Sequence, residues 1–365
     1  MEVFKEAYFS KSGMMIGKEL RNCFNCTYCR AHNGEMLDFT KNLPTDLNEW
    51  FGRVPVMVNL FYGDPVLQAK ETVSILDRLE DGHHYGPVLL VTKGDLSKFP
   101  NKEWNMYVHY GISTFGINSM YDGGTIEQFE KNLDVCRERG DCYSIEFRPI
   151  IKNINDSDGV FRYVVGKAKE HGVGIGYCGL QVSEETRLRL KNDGVEFKPY
   201  DEKVGFGLKK FISKERDEAF RRIAKENGVN VFRKTSCLIA SANSHPDYNA
   251  HYYRPNEVGC YDCPNKDICF EHKEELFNSP DIWWLKKVIP FEFELVDKEN
   301  HVCTLYKNGL CQFPSNDCLH ISGKMIKIKD EITTTDVRLI KWLTGYTVDA
   351  KFVELPYMST AWLNK

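Results

Sequence analysis

No stretch of this chain approaches the roughly 18 uninterrupted apolar residues of a membrane-spanning helix. The best apolar run, VPVMVNLFYG, is interrupted by Asn59 and reads as a buried strand. The opening residues, MEVFKEAYFSKSG, lack the apolar segment of an export signal, so the expected compartment is the reducing cytoplasm. Neither sign of charge is in large excess. With 48 basic and 52 acidic side chains the net charge is -4, which excludes the broad electropositive footprint of an indiscriminate nucleic-acid binder while leaving room for a local groove. No internal repeat and no low-complexity tract is present. What remains is 365 residues, 42 % of them hydrophobic and 27 % charged, a composition that suits about two globular units rather than a disordered or fibrous chain.

In a reducing compartment the thirteen cysteines are core residues, metal ligands or catalytic groups more often than disulfide partners, and their odd number agrees. Up to about residue 195, short apolar runs alternate with helical patterns, the rhythm of βα units around a parallel sheet. Six strands are expected, at residues 3–9, 54–61, 88–92, 107–114, 143–151 and 172–180. Between them, Val66, Val73, Leu76 and Leu79 form one apolar helical stripe, and Ile126, Phe129, Leu133 and Cys136 form another. Strands in such a sheet end on one common rim, so groups placed just after a strand belong to a shared site.

Residues 196–234 are rich in lysine and arginine, which reads as a solvated helix face or as a substrate-binding patch. From residue 236 to 270 the chain is too irregular for a long helix. Beyond about residue 280, aromatic strands (FEFELVD, HVCTLYKNGL) accompany one late helix, TTTDVRLIKWLTG, with a cap expected within residues 333–335.

Cys23, Cys26 and Cys29 stand together as CFNCTYC, immediately after the first expected strand. This spacing can wrap three corners of a cubane iron-sulfur cluster. A ferredoxin run continues with a fourth Cys and a Pro, where this chain has Asn33 and Gly34, so one iron is left open for a ligand. Structural zinc usually takes two separated ligand pairs, which fits these three cysteines less well, and the polar neighbours Arg21, Asn22, Asn25, Thr27 and Arg30 argue against a core. After the second expected strand, Tyr62-Gly63-Asp64-Pro65 opens a helix. In isolation it is a turn, but it shares the rim with the cysteine loop.

Cys260, Cys263 and Cys269 form GCYDCPNKDIC, and Cys237 lies 23 positions before the first of them. Four thiolates make a closed site, satisfied by structural zinc or by a second iron-sulfur cluster. Cys303, Cys311 and Cys318, with His301 and His320 nearby, are too widely spaced and read as ordinary strand residues. His32, His83 and His84 read as surface or loop residues.

Taken together, the three-cysteine loop, the Gly63-Asp64-Pro65 turn and the βα rhythm resemble the radical S-adenosylmethionine superfamily. LLVTKGDLSKF and YGISTFG resemble its spore photoproduct lyase-like branch. The likeness spans residues 1–195, and it departs from the family in having one residue fewer between Cys23 and Cys26 than the usual C-x3-C-x2-C. It implies a 4Fe-4S cluster on Cys23, Cys26 and Cys29 whose open iron binds S-adenosyl-L-methionine, and reductive cleavage to a 5'-deoxyadenosyl radical that abstracts hydrogen from a substrate. It further implies that Gly63, Asp64 and Pro65 hold the methionine amino group through their backbone, and that Ser113 and Thr114 contact its carboxylate or ribose. Glu146 and Arg148, two apart on one strand face, are weaker candidates for hydroxyl and carboxylate binding, or else an ordinary strand-end ion pair. Tyr177 and Cys178 lie near the adenine or pack in the core.

The C-x2-C-x5-C of the second group is similar to SPASM or Twitch auxiliary-cluster extensions, although Lys273 stands where the longer type has a Cys. Residues 237, 260, 263 and 269 are therefore expected to hold an auxiliary 4Fe-4S cluster or, as the lesser alternative, zinc. The expected fold is α/β: a partial (β/α)6 TIM-type barrel at 1–195, an auxiliary-cluster region at 196–279 and a small α+β C-terminal domain at 280–365. Expected partners are a reductant such as a flavodoxin or ferredoxin, and a nucleic acid or peptide substrate; the resemblance leans to nucleic acid repair or modification, with Tyr248, Tyr252, Tyr253 and Arg254 as stacking and charge surfaces, and peptide or small-molecule modification is the alternative. A non-enzymatic iron-sulfur carrier or sensor is the competing class.

Overall fold

The computed structural model describes residues 7–9, 14–16, 24, 26, 55–58, 63–84, 86–114, 123–181, 184–192, 203–205, 210–253, 255, 259–278, 282–297, 306–307, 310–311 and 324–353. A short antiparallel pair begins it, β1 (Ala7–Phe9) against β2 (Met14–Ile16), with Phe9 opposite Met14. Then come β3 (Val56–Val58), α1 (Ala69–Asp81), β4 (Val88–Thr92), β5 (Val108–Ser113), α2 (Ile126–Arg139), β6 (Cys142–Ile150), α3 (Asp158–His171) and β7 (Ile175–Gln181). Strands β2 to β7 pair in sequential order, every pair parallel, so the α/β expectation holds. The first strand of that parallel set is β2 rather than the expected segment 3–9, whose described part is the antiparallel edge. MMIG carries no alternation to mark it, and only its neighbours define it as a strand.

The chain continues through α4 (Glu184–Asn192), β8 (Lys203–Gly205), β9 (Lys210–Ser213), α5 (Lys214–Glu226), β10 (Val231–Phe232) and α6 (Thr235–Ala242). β9 extends the sheet antiparallel to β7, β8 pairs with β9, and β10 pairs parallel with β7. After α7 (Lys266–Asn278) and α8 (Ile282–Val288) a second, three-stranded sheet forms from β11 (Phe293–Asp297), β14 (Lys324–Thr333) and β15 (Thr347–Val353). β12 (Tyr306–Lys307) and β13 (Leu310–Cys311) make a hairpin. Helix α9 (Thr334–Thr344) joins β14 to β15 and starts as expected: the Thr333 hydroxyl accepts from the Asp336 amide, and the Asp336 carboxylate accepts from the Thr333 amide. Among the described residues no helix is long and apolar enough to cross a membrane.

Alternation along the strands sorts the two faces of the main sheet. Val88, Leu90, Tyr110, Ile112, Ile145, Phe147, Ile175 and Tyr177 pack outward against the helices, meeting Leu76 of α1, Leu133 of α2, Phe161 of α3 and Phe220 of α5. Phe220 also meets the Tyr177 ring at 4.8 Å, and the Tyr177 hydroxyl donates to Asp217 at 2.7 Å, so this tyrosine belongs to the core. The opposite face carries His109, Gly111 and Ser113 of β5, Ser144, Glu146 and Arg148 of β6, and Gly176 and Cys178 of β7. An inner face this polar is costly unless its groups are paired, and it is the side on which a ligand would be held.

His109 shows how such pairing works. It is fully buried, with Nδ1 3.0 Å from the Tyr107 hydroxyl and Nε2 2.7 Å from Ser144 Oγ. Burial pushes its pKa down to about 4. Between that value and the unfolded pKa of about 6.5 the unfolded chain binds a proton that the folded one refuses, so stability rises with pH. The contribution is present above about pH 6.5 and is lost as pH falls through about 4, amounting to about 3 kcal/mol. Urea unfolding of wild type and His109→Asn from pH 7.5 to 4 should show the stability difference moving by about this amount against the wild type; a pH-independent difference contradicts it.

Candidate functional site

Asp64 follows β3 and is nearly inaccessible. Its Oδ1 accepts from the Val66 amide at 2.9 Å and the Thr92 hydroxyl at 2.5 Å, and its Oδ2 accepts from the Lys93 amide at 2.8 Å. Burial raises its pKa, and these donors work against that rise. The carboxylate therefore locks the turn at residues 63–65 to the loop leaving β4. The Pro65 carbonyl accepts from Thr72 of α1 at 2.6 Å. That loop is held in turn by Asn132 of α2, which donates to the Gly94 carbonyl at 2.7 Å and accepts from the Leu96 amide at 3.0 Å. The result is a rim whose backbone is fixed from two sides.

Cys26 sits on this rim. Lys93 Nζ lies 3.5 Å from its Sγ, and Arg189 of α4 donates to its carbonyl at 3.1 Å. Lys93 thus ties Cys26 to the Asp64 turn, and two cationic side chains flank this cysteine. Cys23 and Cys29 lie outside the described residues, as does Tyr62. Neither Lys93 nor Arg189 was singled out in the sequence. Lys93 had a usable signal, since it follows a strand of the parallel sheet directly; Arg189 had none, being one of several basic residues on an exposed-looking helix.

Deeper on the inner face, Glu146 is fully buried and forms an ion pair with Arg148, whose side chain is 25 % exposed. The two were expected on one face and are found there. Glycines flank the Glu146 carboxylate on both neighbouring strands: a Cβ at Gly111 would stand 2.8 Å from its Cγ, and one at Gly176 would stand 2.9 Å from its Oε2. Ser113 is the register partner of Glu146, and the Thr114 amide donates to the Glu146 carbonyl at 3.1 Å. Ser113 and Thr114, at the end of β5, are thereby placed beside Glu146 in the middle of β6, with Arg148 two residues further along that strand. Arg148 also donates to the Thr235 hydroxyl at 2.5 Å, at the start of α6.

Two residues along the same helix is Cys237. It opens onto a small cavity that it lines together with Cys260, Cys263 and Cys269, so the four cysteines paired by sequence do converge. Cys260 and Cys263 bracket a single 3-10 turn, and Cys269 is carried by α7. All four thiols have raised pKa values, first because they are buried and then because the Asp247 carboxylate and, except at Cys263, the neighbouring thiols add negative charge: Cys260 reaches about 12 and Cys269 about 11. Four crowded thiols cannot all ionise beside each other, whereas a bound cation reverses that cost. The Asp247 amide and the Asn265 side chain point at Cys269 Sγ from 3.4 and 3.6 Å, the kind of N–H to sulfur contact that supports a metal thiolate. The donor set suits a thiolate-bound metal group.

Asp247 and His251 line the same cavity and were missed in the sequence, where nothing in their spacing relates them to the cysteines. His251 donates its amide to Asp247 Oδ2 at 2.7 Å, and its Nδ1 lies 2.8 Å from the same oxygen. Burial opposes the carboxylate's charge, but these contacts hold its pKa down at about 2.

One expectation changes. Tyr252, considered as a stacking surface, is buried against the His272 ring, and Tyr248 is only partly accessible; the Tyr253 side chain and Arg254 lie outside the described residues. In the basic segment, Arg216, Arg221 and Arg233 are paired with Asp158, Asp262 and Asp217. Of the third cysteine group, Cys303 and Cys318 lie outside the described residues, and Cys311 ends the β13 hairpin strand opposite Tyr306.

Fold and site together define an α/β protein with a sequentially ordered parallel sheet, Cys26 on its rim and a four-thiol pocket beside its inner face. No protein-family model matches the chain, and no curated protein does. Among solved structures it is similar, over 62 % of its length, to a radical SAM methyltransferase from Sphaerobacter thermophilus, with 16 % identity, a TM-score of 0.39 and 67 % of that chain covered. It is also similar over 62 % to a structure of TYW1 with a lysine-pyruvate adduct bound, with 15 % identity, a TM-score of 0.37 and 76 % of that chain covered. Likeness at this level carries no argument about chemistry, so the functional conclusion rests on the chain's own residues.

Proposed function

We propose that this protein is a radical S-adenosylmethionine enzyme with a second, four-cysteine metal site. The observation that carries the reading is the contact of Cys26, the middle cysteine of CFNCTYC, with Lys93 on the rim that Asp64 locks to the β4 loop. In this reading Cys23, Cys26 and Cys29 would hold a 4Fe-4S cluster, which would supply the electron for reductive cleavage of bound S-adenosyl-L-methionine. The chain's own residues do the rest. Gly63, Asp64 and Pro65 present a rigid turn to the amino group, and Lys93 and Arg189 neutralise charge beside the thiolates. Ser113 and Thr114 offer hydroxyls at the end of β5, while Glu146 and Arg148 present charge from the inner face. The buried polar wall and the helical layer behind it exclude water from the reacting carbon.

The second site, Cys237, Cys260, Cys263 and Cys269, is read as an auxiliary 4Fe-4S cluster. Its closeness to the inner face, through Thr235 and Cys237 on one helix, supports a part in shaping the substrate pocket or passing an electron. A peptide or small molecule is supported over a nucleic acid by the pairing of Arg216, Arg221 and Arg233 with carboxylates and by the burial of Tyr252. A flavodoxin- or ferredoxin-type reductant completes the scheme.

The test is anaerobic purification with iron, sulfide and zinc counts, followed by reduction in the presence of S-adenosyl-L-methionine. The expected result is two iron-sulfur clusters and stoichiometric 5'-deoxyadenosine and methionine. Iron and sulfide without deoxyadenosine identify a carrier or sensor, and zinc without sulfide identifies a structural metal module; either result rejects the proposal.

A further inference from the structure

We propose that Asp247 is itself a ligand of the second metal site, through Oδ1, alongside the cysteine thiolates. This rests on the reading of that site as a metal site and adds a donor that the cysteine spacing does not contain. Three observations converge on it.

Asp247 is 3 % exposed, and its Oδ1 is buried without accepting a hydrogen bond from any described residue. A buried carboxylate oxygen left in that state is costly, and a positive ion is the group that relieves it. The carboxylate also stands where an ion would be. One ligand atom each from Cys237, Asp247 and His251 lie within 4.8 Å of one another, a separation one metal ion with bonds of about 2.0–2.3 Å can bridge after small side-chain adjustments. Finally, the carboxylate is oriented in advance. His251 holds Oδ2 from two directions, which leaves Oδ1 as the oxygen without a hydrogen-bond partner among the described residues, on a side chain that lines the cavity shared with the four cysteines. A carboxylate braced by an imidazole on one oxygen and bare on the other matches the outer-shell bracing seen around ligating carboxylates.

Five anionic donors then surround the cavity, one more than a closed four-thiolate site uses. The site is a mixed sulfur and oxygen set, with one metal corner offered both a thiolate and a carboxylate. Oxygen is the harder donor and favours the more oxidised metal, so the carboxylate makes the bound group harder to reduce than a purely thiolate-held one.

The experiment uses the full chain with Cys23→Ala, Cys26→Ala and Cys29→Ala, so that only the second site reports. This parent is reconstituted anaerobically with ferrous iron and sulfide, and compared with the same chain carrying Asp247→Asn. Asparagine keeps the shape and can still accept from the His251 amide while removing the charge. Circular dichroism of the metal-free forms checks that both are equally folded. The expected result is metal loss to a chelator at least about tenfold faster in the Asp247→Asn chain, with an altered electron paramagnetic resonance spectrum and a higher midpoint potential. Identical release, spectrum and potential would overturn the role of Asp247 and leave the four-thiol site standing. A parent that binds neither iron nor zinc overturns both together.

Discussion

Cys26→Ala abolishes 5'-deoxyadenosine formation, taking it to the level seen without protein, while the second site keeps its metal. The large size of this effect follows from the number of anchors: a cluster gripped by three thiolates has no spare, and removal of one exposes a second iron to solvent and oxygen. The loss of Cys26 also removes the contact that places Lys93 between this cysteine and the Asp64 turn. The second site is unaffected because its thiols come from other elements, α6, a 3-10 turn and α7. Cys263→Ala is the mirror experiment: the second site loses metal and the first still assembles. Deoxyadenosine counted by chromatography, with iron and sulfide measured on the same samples, checks both. Unchanged turnover in Cys26→Ala rejects the cluster assignment.

Arg148→Met destabilises the protein by about 3 kcal/mol or more, because it leaves the fully buried Glu146 carboxylate without its cation. Relaxation offers little relief: Gly111 and Gly176 confine that carboxylate between strands, and Thr235 loses its donor at the start of α6. The residual exposure of Arg148, 25 %, keeps the loss toward the lower end of the range for broken buried pairs. The double substitution Glu146→Gln with Arg148→Met recovers most of it, since a neutral amide no longer needs a counter-ion. Urea unfolding of the four proteins in a double-mutant cycle measures the coupling. A cost under about 1 kcal/mol for Arg148→Met would mean that the pair behaves as a surface ion pair. Because Thr235 and Cys237 share one helix, the same substitution also tests whether the inner face and the four-thiol site communicate, read as a change in metal retention.

Much of the α/β layer was legible along the chain. The stripes of Leu76 with Leu79, and of Phe129 with Leu133 and Cys136, do face the sheet. The cap at Thr333 forms as its sequence predicts, and Glu146 and Arg148 share a face as their alternate spacing requires. Each of these depends on a period of 3.6 or 2 residues, or on a side chain reaching its own backbone, and both are local. The grouping of Cys260, Cys263 and Cys269 was legible for the same reason, since one short turn holds two of them.

Tertiary structure alone decided the remainder. Lys93 reaches Cys26 across 67 positions, and Arg148 reaches Thr235 across 87, because parallel strands end on one rim whatever their separation in sequence. Asp247 and His251 enter the four-thiol cavity only once α6 and α7 have packed, and no residue pattern around them announces it. The basic stretch after residue 196 illustrates the same limit: its composition allowed either a solvated face or a binding patch, and packing shows a helix with a solvated face, on which Lys214, Arg222 and Lys225 are exposed, while Arg216, Arg221 and Arg233 meet carboxylates from elsewhere in the chain. Sequence determines which side chains a local element will present together, whereas the partners across the fold depend on closure of long loops, whose free energy no local window contains.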